Sequence, residues 1–95
     1  MNLSISHDRQ AGRFETQVEG HRCELDYFLD EAVGSTVMTI THTGVPAEVG
    51  GRGIAAALVQ AAMDEARAQG WKVRPACSYA AVWLRRHPEY AGLGV

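Results

Sequence analysis

The sequence has little of the material that builds metal centres, disulfide frameworks or nucleic-acid surfaces. Its 95 residues include two cysteines, and the formal net charge is −2 at pH 7. Cys23 and Cys77 form no CxxC pair and the histidines are scattered, so we expect neither a metal site nor a disulfide. The lack of a basic cluster argues against a nucleic-acid partner and against an anionic membrane surface.

Long apolar runs are also missing. No stretch approaches the roughly 20 residues of a membrane span, and the first residues lack the pattern of a signal peptide. We therefore expect a cytoplasmic protein with no membrane partner and with reduced thiols. The sequence does contain 46% hydrophobic and 21% charged residues, a composition typical of a globular chain. The length allows one domain, residues 1–95.

Alternating polar and apolar residues predict antiparallel strands in the first third of the chain. The alternation covers Arg13–Val18 and residues 22–27, and Glu19-Gly20-His21 supplies a tight turn between them. Residues 3–6 are interpreted as a short leading strand, and the break at residues 30–35 as a further turn. This part of the chain is thus predicted to form a sheet with one buried face.

The next segment, residues 37–43, is rich in β-branched residues and predicts another strand. Its alternation puts Met38, Ile40 and His42 on one face, so we expect His42 near the carboxyl end of a central strand. The strand is expected to end at Gly44-Val45-Pro46, because proline cannot continue the hydrogen-bond ladder.

Two helices and a strand are predicted in the second half. Ile54–Gln69 contains no Gly or Pro and is rich in alanine, which makes it the strongest helix in the sequence. A short strand follows at residues 71–77, where Pro75 indicates an edge, a bulge or a splayed segment. Ser78 is a candidate N-cap for a last helix that ends at Arg86. The order of four strands, helix, strand and helix predicts a mixed α/β fold of the α+β type.

Three glycines lie in the segment Glu48-Val49-Gly50-Gly51-Arg52-Gly53-Ile54-Ala55, between a strand and the long helix. Glycines let backbone amides approach a phosphate, and the positive end of the helix dipole attracts the anion. The segment therefore has the features of a diphosphate cradle, and it equally fits a flexible strand-to-helix turn. No Gly-Lys-Ser/Thr follows and the glycine spacing differs from a dinucleotide fingerprint, which disfavours a P-loop or a Rossmann domain.

Four short segments, taken in order, carry a family resemblance. They are Thr41-His42-Thr43-Gly44-Val45-Pro46, Gly51-Arg52-Gly53-Ile54-Ala55, Cys77-Ser78-Tyr79 and Arg85-Arg86-His87-Pro88-Glu89-Tyr90. The series resembles the minimal, single-domain members of the GNAT acetyltransferase superfamily over residues 12–93. The resemblance implies a GNAT-like mixed sheet with antiparallel first strands and splayed last two strands, one long helix and a short C-terminal helix.

The resemblance also implies an acetyl-CoA (CoA) site. Backbone amides of residues 50–55 would hold the pyrophosphate, the pantetheine would lie along residues 42–45, and Arg85 or Arg86 would reach the 3′-phosphate. The predicted cofactor-binding residues are Thr43, Val45, Gly50, Gly51, Arg52, Gly53, Ile54, Ala55 and Arg86.

Three residues are candidates for the chemistry of acetyl transfer to an amine. His42 is the hypothesised general base, and Cys77, with the imidazole as its partner, either accepts the acetyl group transiently or lines the thioester pocket. Tyr79 is the candidate acid for the departing thiolate. Each also has a structural interpretation: a hydrogen-bonded strand histidine, a thiol that packs as a small hydrophobe, and a tyrosine with its polar tip outward.

The leading hypothesis is an acetyl-CoA-dependent N-acetyltransferase whose acceptor is a small-molecule or protein amine. A second is a CoA- or acyl-CoA-binding module with little or no catalysis, and a third is an interaction domain whose glycine loop is only a turn. Stabilisation by acetyl-CoA and thiol release with amines separate the three. We expect a monomer or a weak homodimer, since the strand edge at residues 71–77 could pair with a copy or be covered.

Overall fold

The protein is built on one five-stranded sheet, seen in a computed structural model that describes residues 3–32 and 34–95. The elements in chain order are β1 (Ser6–Asp8), β2 (Arg13–Val18), β3 (His21–Ala32), β4 (Ser35–Gly44), α1 (Ile54–Gln69), β5 (Lys72–Pro75) and α2 (Ser78–Arg86). Short 3₁₀ helices cover Ala47–Val49 and Pro88–Leu93. The predicted order of four strands, helix, strand and helix is confirmed.

The sheet has the strand order β1-β2-β3-β4-β5. Its first four strands are antiparallel, whereas β5 is parallel to β4 because α1 crosses over between them. The parallel pairing ends at Ile40 and Pro75, and β4 continues to Gly44 without a β5 partner. The last two strands therefore diverge beyond Pro75, as the resemblance implies.

The core lies between α1 and one face of the sheet. Leu25, Met38 and Ile40 contribute from the strands and have no exposed surface. The buried stripe of α1 consists of Ile54, Leu58, Val59, Ala62, Met63 and Ala66. Burying each large apolar side chain contributes about 1.5–3 kcal/mol to stability. The opposite side of the sheet, named the polar face below, carries the side chains of Arg13, Glu24, Asp26 and His42.

Several strand boundaries differ from the prediction. The strand predicted at residues 71–77 is shorter and spans Lys72–Pro75, because its pairing with β4 ends at Pro75. The first strand is Ser6–Asp8 and not residues 3–6, because it pairs with β2 opposite Arg13–Glu15. The turn predicted at residues 30–35 is mostly strand: β3 runs to Ala32 and β4 starts at Ser35, while Val33 lies outside the described residues. This end of the hairpin is largely exposed, so no burial pattern marks it in the sequence.

A β-bulge in β4 changes the predicted face of His42. Tyr27 pairs with Ile40 and Asp26 pairs with His42, so Thr41 is the extra residue. The prediction that Met38, Ile40 and His42 share a face is therefore wrong, because one inserted residue reverses the side on which all later side chains lie. His42 lies on the polar face, and Thr43, opposite the buried Leu25, lies on the helix face.

The helix limits agree with the prediction apart from one cap. Helix α1 spans Ile54–Gln69 and stops at Gly70, which has a φ of 75°. Helix α2 spans Ser78–Arg86, but its N-cap is Cys77 and not Ser78, because Cys77 keeps an extended backbone with φ −81° and ψ 132°. The shift by one residue brings a thiol to the helix N-terminus. None of the helices described is long and apolar enough to cross a membrane.

The outer edge of β5 is partly covered by the chain itself. Gly94 forms a parallel bridge with Val73, and the Val95 amide donates to the Val73 carbonyl at 3.0 Å. The strand edge at residues 71–77 was expected either to pair with a copy or to be covered. At Val73 it is covered, by Gly94 and Val95.

Substitution of Gly12 tests how closely the chain just before β2 approaches the backbone of β3 at Tyr27. Gly12 has a φ of +71°, and a Cβ built on it would lie 2.2 Å from the Tyr27 carbonyl oxygen, whereas Gly20 has a φ of +79° and no atom within 4 Å of its Cβ. We expect Gly12→Ala to lower the free energy of unfolding by about 3 kcal/mol or more, and Gly20→Ala, which meets backbone strain alone, by about 1 kcal/mol. Chemical denaturation measures both losses. Equal losses would contradict the close approach at Gly12.

Candidate functional site

The glycine loop, defined as residues 50–53, leads directly into α1. Gly51 and Gly53 have φ values of 76° and 77°, which favour glycine, and Gly53 is the N-cap of α1. No side chain caps this end, and the first intrahelical bond runs from the Ala57 amide to the Gly53 carbonyl at 3.0 Å. The first amides of α1 therefore lack intrahelical acceptors and point out of the helix end, where the helix dipole is positive. This arrangement suits an anion.

A cavity of about 260 Å³, named the loop cavity, opens at the glycine loop. Its lining residues are Val45, Gly50, Gly51, Gly53, Ile54, Ala55 and Tyr79. All the predicted cofactor residues of the loop except Arg52 are among them, together with Val45 from the end of the strand region. The loop residues predicted to hold the diphosphate thus line a concavity, and Tyr79 lines it as well.

A second cavity of about 280 Å³, named the helix groove, lies between α1 and α2. Its lining residues are Ala56, Gln60, Tyr79, Val82, Trp83, Arg86 and His87. Arg86 lines the groove and Arg85 does not, which fits the expectation that at most one of the two can reach a ligand. Because Tyr79 lines both cavities, the helix groove and the loop cavity are neighbours.

Most residues of the helix groove were not among the site residues predicted from the sequence. Its members on α2 recur at helical spacing, from Tyr79 through Val82 to Arg86, and those on α1 are Ala56 and Gln60, four residues apart. These spacings place each set on one face of its helix, so the periodicity contained the signal. The periodicity does not show that these faces of α1 and α2 contact each other, because that contact depends on tertiary structure.

One wall of the helix groove is formed by two stacked rings, those of Trp83 and His87. The imidazole of His87 lies 3.8 Å from the Trp83 ring at an interplanar angle of 14°. His87 Nδ1 is 2.7 Å from the Trp83 carbonyl oxygen, and since a carbonyl only accepts, Nδ1 donates there. Trp83 is 5% exposed and meets the ring of Tyr90 edge-on at 5.1 Å. The groove therefore has a rigid aromatic side.

Cys77 lies where β4 and β5 separate. Its amide donates to the Ile40 carbonyl at 3.0 Å, and its Sγ is 3.6 Å from Thr43 Oγ1. Burial raises the pKa of the Cys77 thiol, but the Ala80 amide and the Thr43 hydroxyl stabilise the thiolate and outweigh burial, so the pKa lies below its usual value. Cys23 is fully buried, and burial raises its pKa. Both cysteines are free.

His42 does not contact Cys77. Its side chain is 53% exposed on the polar face, with Nε2 3.8 Å from Glu24 Oε1. The hypothesised thiol–imidazole pair is therefore not formed: the bulge at Thr41 turns His42 to the polar face and leaves Thr43 beside the thiol. Sequence analysis also missed Glu24, which comes into reach only through the pairing of β3 with β4.

Comparison with known proteins agrees with this geometry. A family model described as GCN5-related N-acetyl-transferase matches residues 13–93. The chain belongs to this family. Protein NATD1 of Mus musculus is 31% identical over 86 residues, which cover 90% of this chain and 77% of the relative. Protein NATD1 of Homo sapiens is 30% identical over 86 residues, covering 90% of this chain and 75% of the relative.

The fold is shared with a solved member of the family. The solution NMR structure of a GCN5-like protein from Staphylococcus aureus superposes with a TM-score of 0.75 at 27% identity, covering 99% of this chain and 89% of the other. The mixed sheet and its crossover helix are therefore those of a GCN5-related N-acetyltransferase. In this family member the thiol and the two cavities lie on the helix side of the sheet, and the imidazole lies on the polar face.

Gly44 makes a selective test of His42. A Cβ on Gly44 would lie 2.7 Å from His42 Nε2, and Gly44 does not have a left-handed φ, so Gly44→Ala displaces the ring and leaves the backbone unstrained. If His42 is the general base, we expect acetyl transfer to fall by about tenfold, part of what a positioned base contributes. Thermal unfolding should change little, because the contact is with the far end of a flexible side chain.

The control is the same substitution in a His42→Ala background, where no ring is left to displace. Gly44→Ala should then have no further effect on the rate. A loss of equal size in both backgrounds would show that Gly44 acts on something other than His42.

Proposed function

We propose that the protein is an acetyl-CoA-dependent N-acetyltransferase that acetylates a small-molecule or protein amine. The observation that carries the proposal is a pair of neighbouring cavities, the helix groove and the loop cavity, which share Tyr79, two residues after the thiol of Cys77 at the divergence of β4 from β5. The proposed ligand path runs from Arg86 past Tyr79 to Cys77. A long ligand with phosphates in its middle and a thioester at one end matches that path.

The proposed contacts with CoA follow from the groups along the path. The uncapped amides of Gly53 to Ala55 are suited to the pyrophosphate, because they are donors without intrahelical acceptors. The end of β4, with Thr43 and Val45, has backbone groups that no longer pair with β5 and suits the amides of the pantetheine arm. The guanidinium of Arg86 suits the 3′-phosphate. When bound, acetyl-CoA supplies the activated acetyl group.

The proposed chemistry divides between the two faces of the sheet. On the helix side, the Cys77 thiolate either attacks the acetyl carbonyl carbon, so that a new C–S bond forms as the bond to the CoA sulfur breaks, or it only lines the thioester pocket. The Tyr79 hydroxyl supplies the proton that the departing CoA thiolate takes up. His42, on the polar face, takes a proton from an amine that approaches the acetyl carbon at the gap between β4 and β5. As the C–N bond forms, the bond from the acetyl carbon to its sulfur breaks: the sulfur is that of Cys77 in the covalent route and that of CoA in the direct route.

A second candidate is a CoA- or acyl-CoA-binding module with little catalysis. It is favoured by the exposure of the hypothesised base, because the His42 side chain on the polar face is 53% exposed and is not enclosed with the thiol. Acetyl-CoA should raise the melting temperature in both cases, since a ligand at 100 times its Kd stabilises by about 2.7 kcal/mol. Release of CoA thiol that depends on an added amine separates them. No stabilisation and no release would contradict both candidates.

Cys77 is tested by alkylation and by substitution. Because its pKa is lowered, more of Cys77 is thiolate at pH 7 than of an ordinary cysteine, so iodoacetamide should modify it before the buried Cys23. Acetyl-CoA should slow this reaction, as followed by mass spectrometry. If the acetyl group passes through the thiol, Cys77→Ala should lower turnover by at least about 100-fold. The matched control is Cys23→Ala, and unchanged turnover in Cys77→Ala would exclude the covalent route.

Arg86 is tested against its neighbour. We expect Arg86→Gln to weaken CoA binding by about tenfold, the size of one charge-assisted hydrogen bond, and to leave the binding of dephospho-CoA unchanged. Arg85→Gln removes the same charge from a residue outside the helix groove and should affect neither ligand. Isothermal titration calorimetry measures all four affinities. Equal losses for both ligands in Arg86→Gln would place the 3′-phosphate elsewhere.

A further inference from the structure

We infer that Glu19 is a positioning residue for the glycine loop: its carboxylate holds Arg52, and through Arg52 it keeps the loop amides in the arrangement that receives phosphate groups. The inference rests on the proposed function in one respect, namely that the phosphates are those of CoA. It gives Arg52 a role different from the phosphate contact that the resemblance implies.

The contact is a two-point ion pair. Arg52 Nη1 donates to Glu19 Oε2 at 2.6 Å, and Nη2 lies 3.4 Å from Oε1. The two residues are 33 positions apart, so the pair joins the turn between β2 and β3 to the loop before α1. Among the ion pairs of the described residues, this is the one that reaches the glycine loop.

The direction of Arg52 supports a tether and not a ligand. Arg52 does not line the loop cavity, although Gly51 and Gly53 on either side of it do. Both glycines have left-handed φ values and nothing within 4 Å of a built Cβ, so no side-chain packing restrains the loop at these points. At Gly51 and Gly53 the loop thus lacks side-chain packing, and the ion pair of Arg52 with Glu19 supplies a restraint between them.

The conformation of Glu19 is a second, independent observation. Its φ of 51° makes it the one non-glycine residue with positive φ in the described chain. Two-residue hairpin turns of this kind favour Asn, Asp or Gly at the position, because a longer side chain gains nothing there locally. Glutamate is strained in this backbone conformation, but its side chain is long enough to contact Arg52. Strain that persists beside a ligand site points to a function for the residue.

The change in CoA affinity expected for Glu19→Gln is opposite to the change that charge alone predicts. Glu19→Gln removes a negative charge near a phosphate site, which alone would strengthen CoA binding. If Glu19 positions the loop, the same change should weaken CoA binding by about threefold to fivefold, the range of an exposed ion pair. Arg52→Gln should weaken it at least as much, because it also removes a positive charge, and the double variant should weaken it by no more than Arg52→Gln alone.

The experiment is calorimetric titration of the full chain with CoA, at one ionic strength, for those variants and for the charge reversal Glu19→Arg with Arg52→Glu. The reversal should restore affinity close to that of the natural sequence. Glu31→Gln is the control: it removes a carboxylate near the end of β3, outside the glycine loop and both cavities, and it should not weaken binding. Thermal unfolding without ligand identifies any variant that fails to fold.

Three outcomes would overturn the inference. Weakening in Arg52→Gln but not in Glu19→Gln, with no rescue by the reversal, would make Arg52 a phosphate ligand. Tighter binding in Glu19→Gln would make Glu19 a competitor of the phosphates. Unchanged binding in every variant would remove any role for the pair.

A readout without ligand separates this inference from the proposed function. Amide hydrogen exchange at residues 51–55 should be faster in Glu19→Gln than in the natural sequence, and the charge reversal should slow it again. If the natural protein binds no CoA, the proposed function fails, and the exchange rates still test the tether. Equal exchange in all variants would refute the tether even if CoA binds.

Discussion

The place where β4 and β5 separate sets the position of nearly every candidate group. Pro75 has no amide hydrogen to donate, and the last shared link is the bond from the Cys77 amide to the Ile40 carbonyl. Beyond it, β4 runs on without a β5 partner while the chain after β5 turns into α2. The divergence opens a gap between β4 and β5. The N-terminus of α2 lies at this gap, and the end of β4 leads from it towards the glycine loop.

The bulge at Thr41 then determines on which side of the sheet the side chains next to this gap lie. Without the extra residue, His42 would point to the helix side and Thr43 to the polar face. With it, the thiol of Cys77 has a hydroxyl and helix amides as neighbours, which lower its pKa, while the imidazole has the Glu24 carboxylate. The two titratable groups are thus kept in separate electrostatic environments on adjoining elements.

The parts that the sequence predicts well are those fixed by local pattern. Ile54–Gln69 has helical periodicity and its own stop signal, and the glycine loop lies at its start, so both the helix and the loop follow from neighbouring residues. The face of His42 depends on pairing with another strand, which alternation within β4 does not reveal. The pair of Glu19 with Arg52 joins residues far apart in sequence and likewise depends on tertiary structure.

The residues that cover β5 have a consequence for assembly. An open strand edge is a template on which another chain can add, and proteins limit such edges by shortening or covering them. Here Gly94 and Val95 occupy hydrogen-bonding positions beside Val73, and the opposite edge, β1, is only three residues long. Growth of the sheet from copy to copy would have to displace the former or rest on the latter. Both edges of the sheet are thus poor templates for end-on addition.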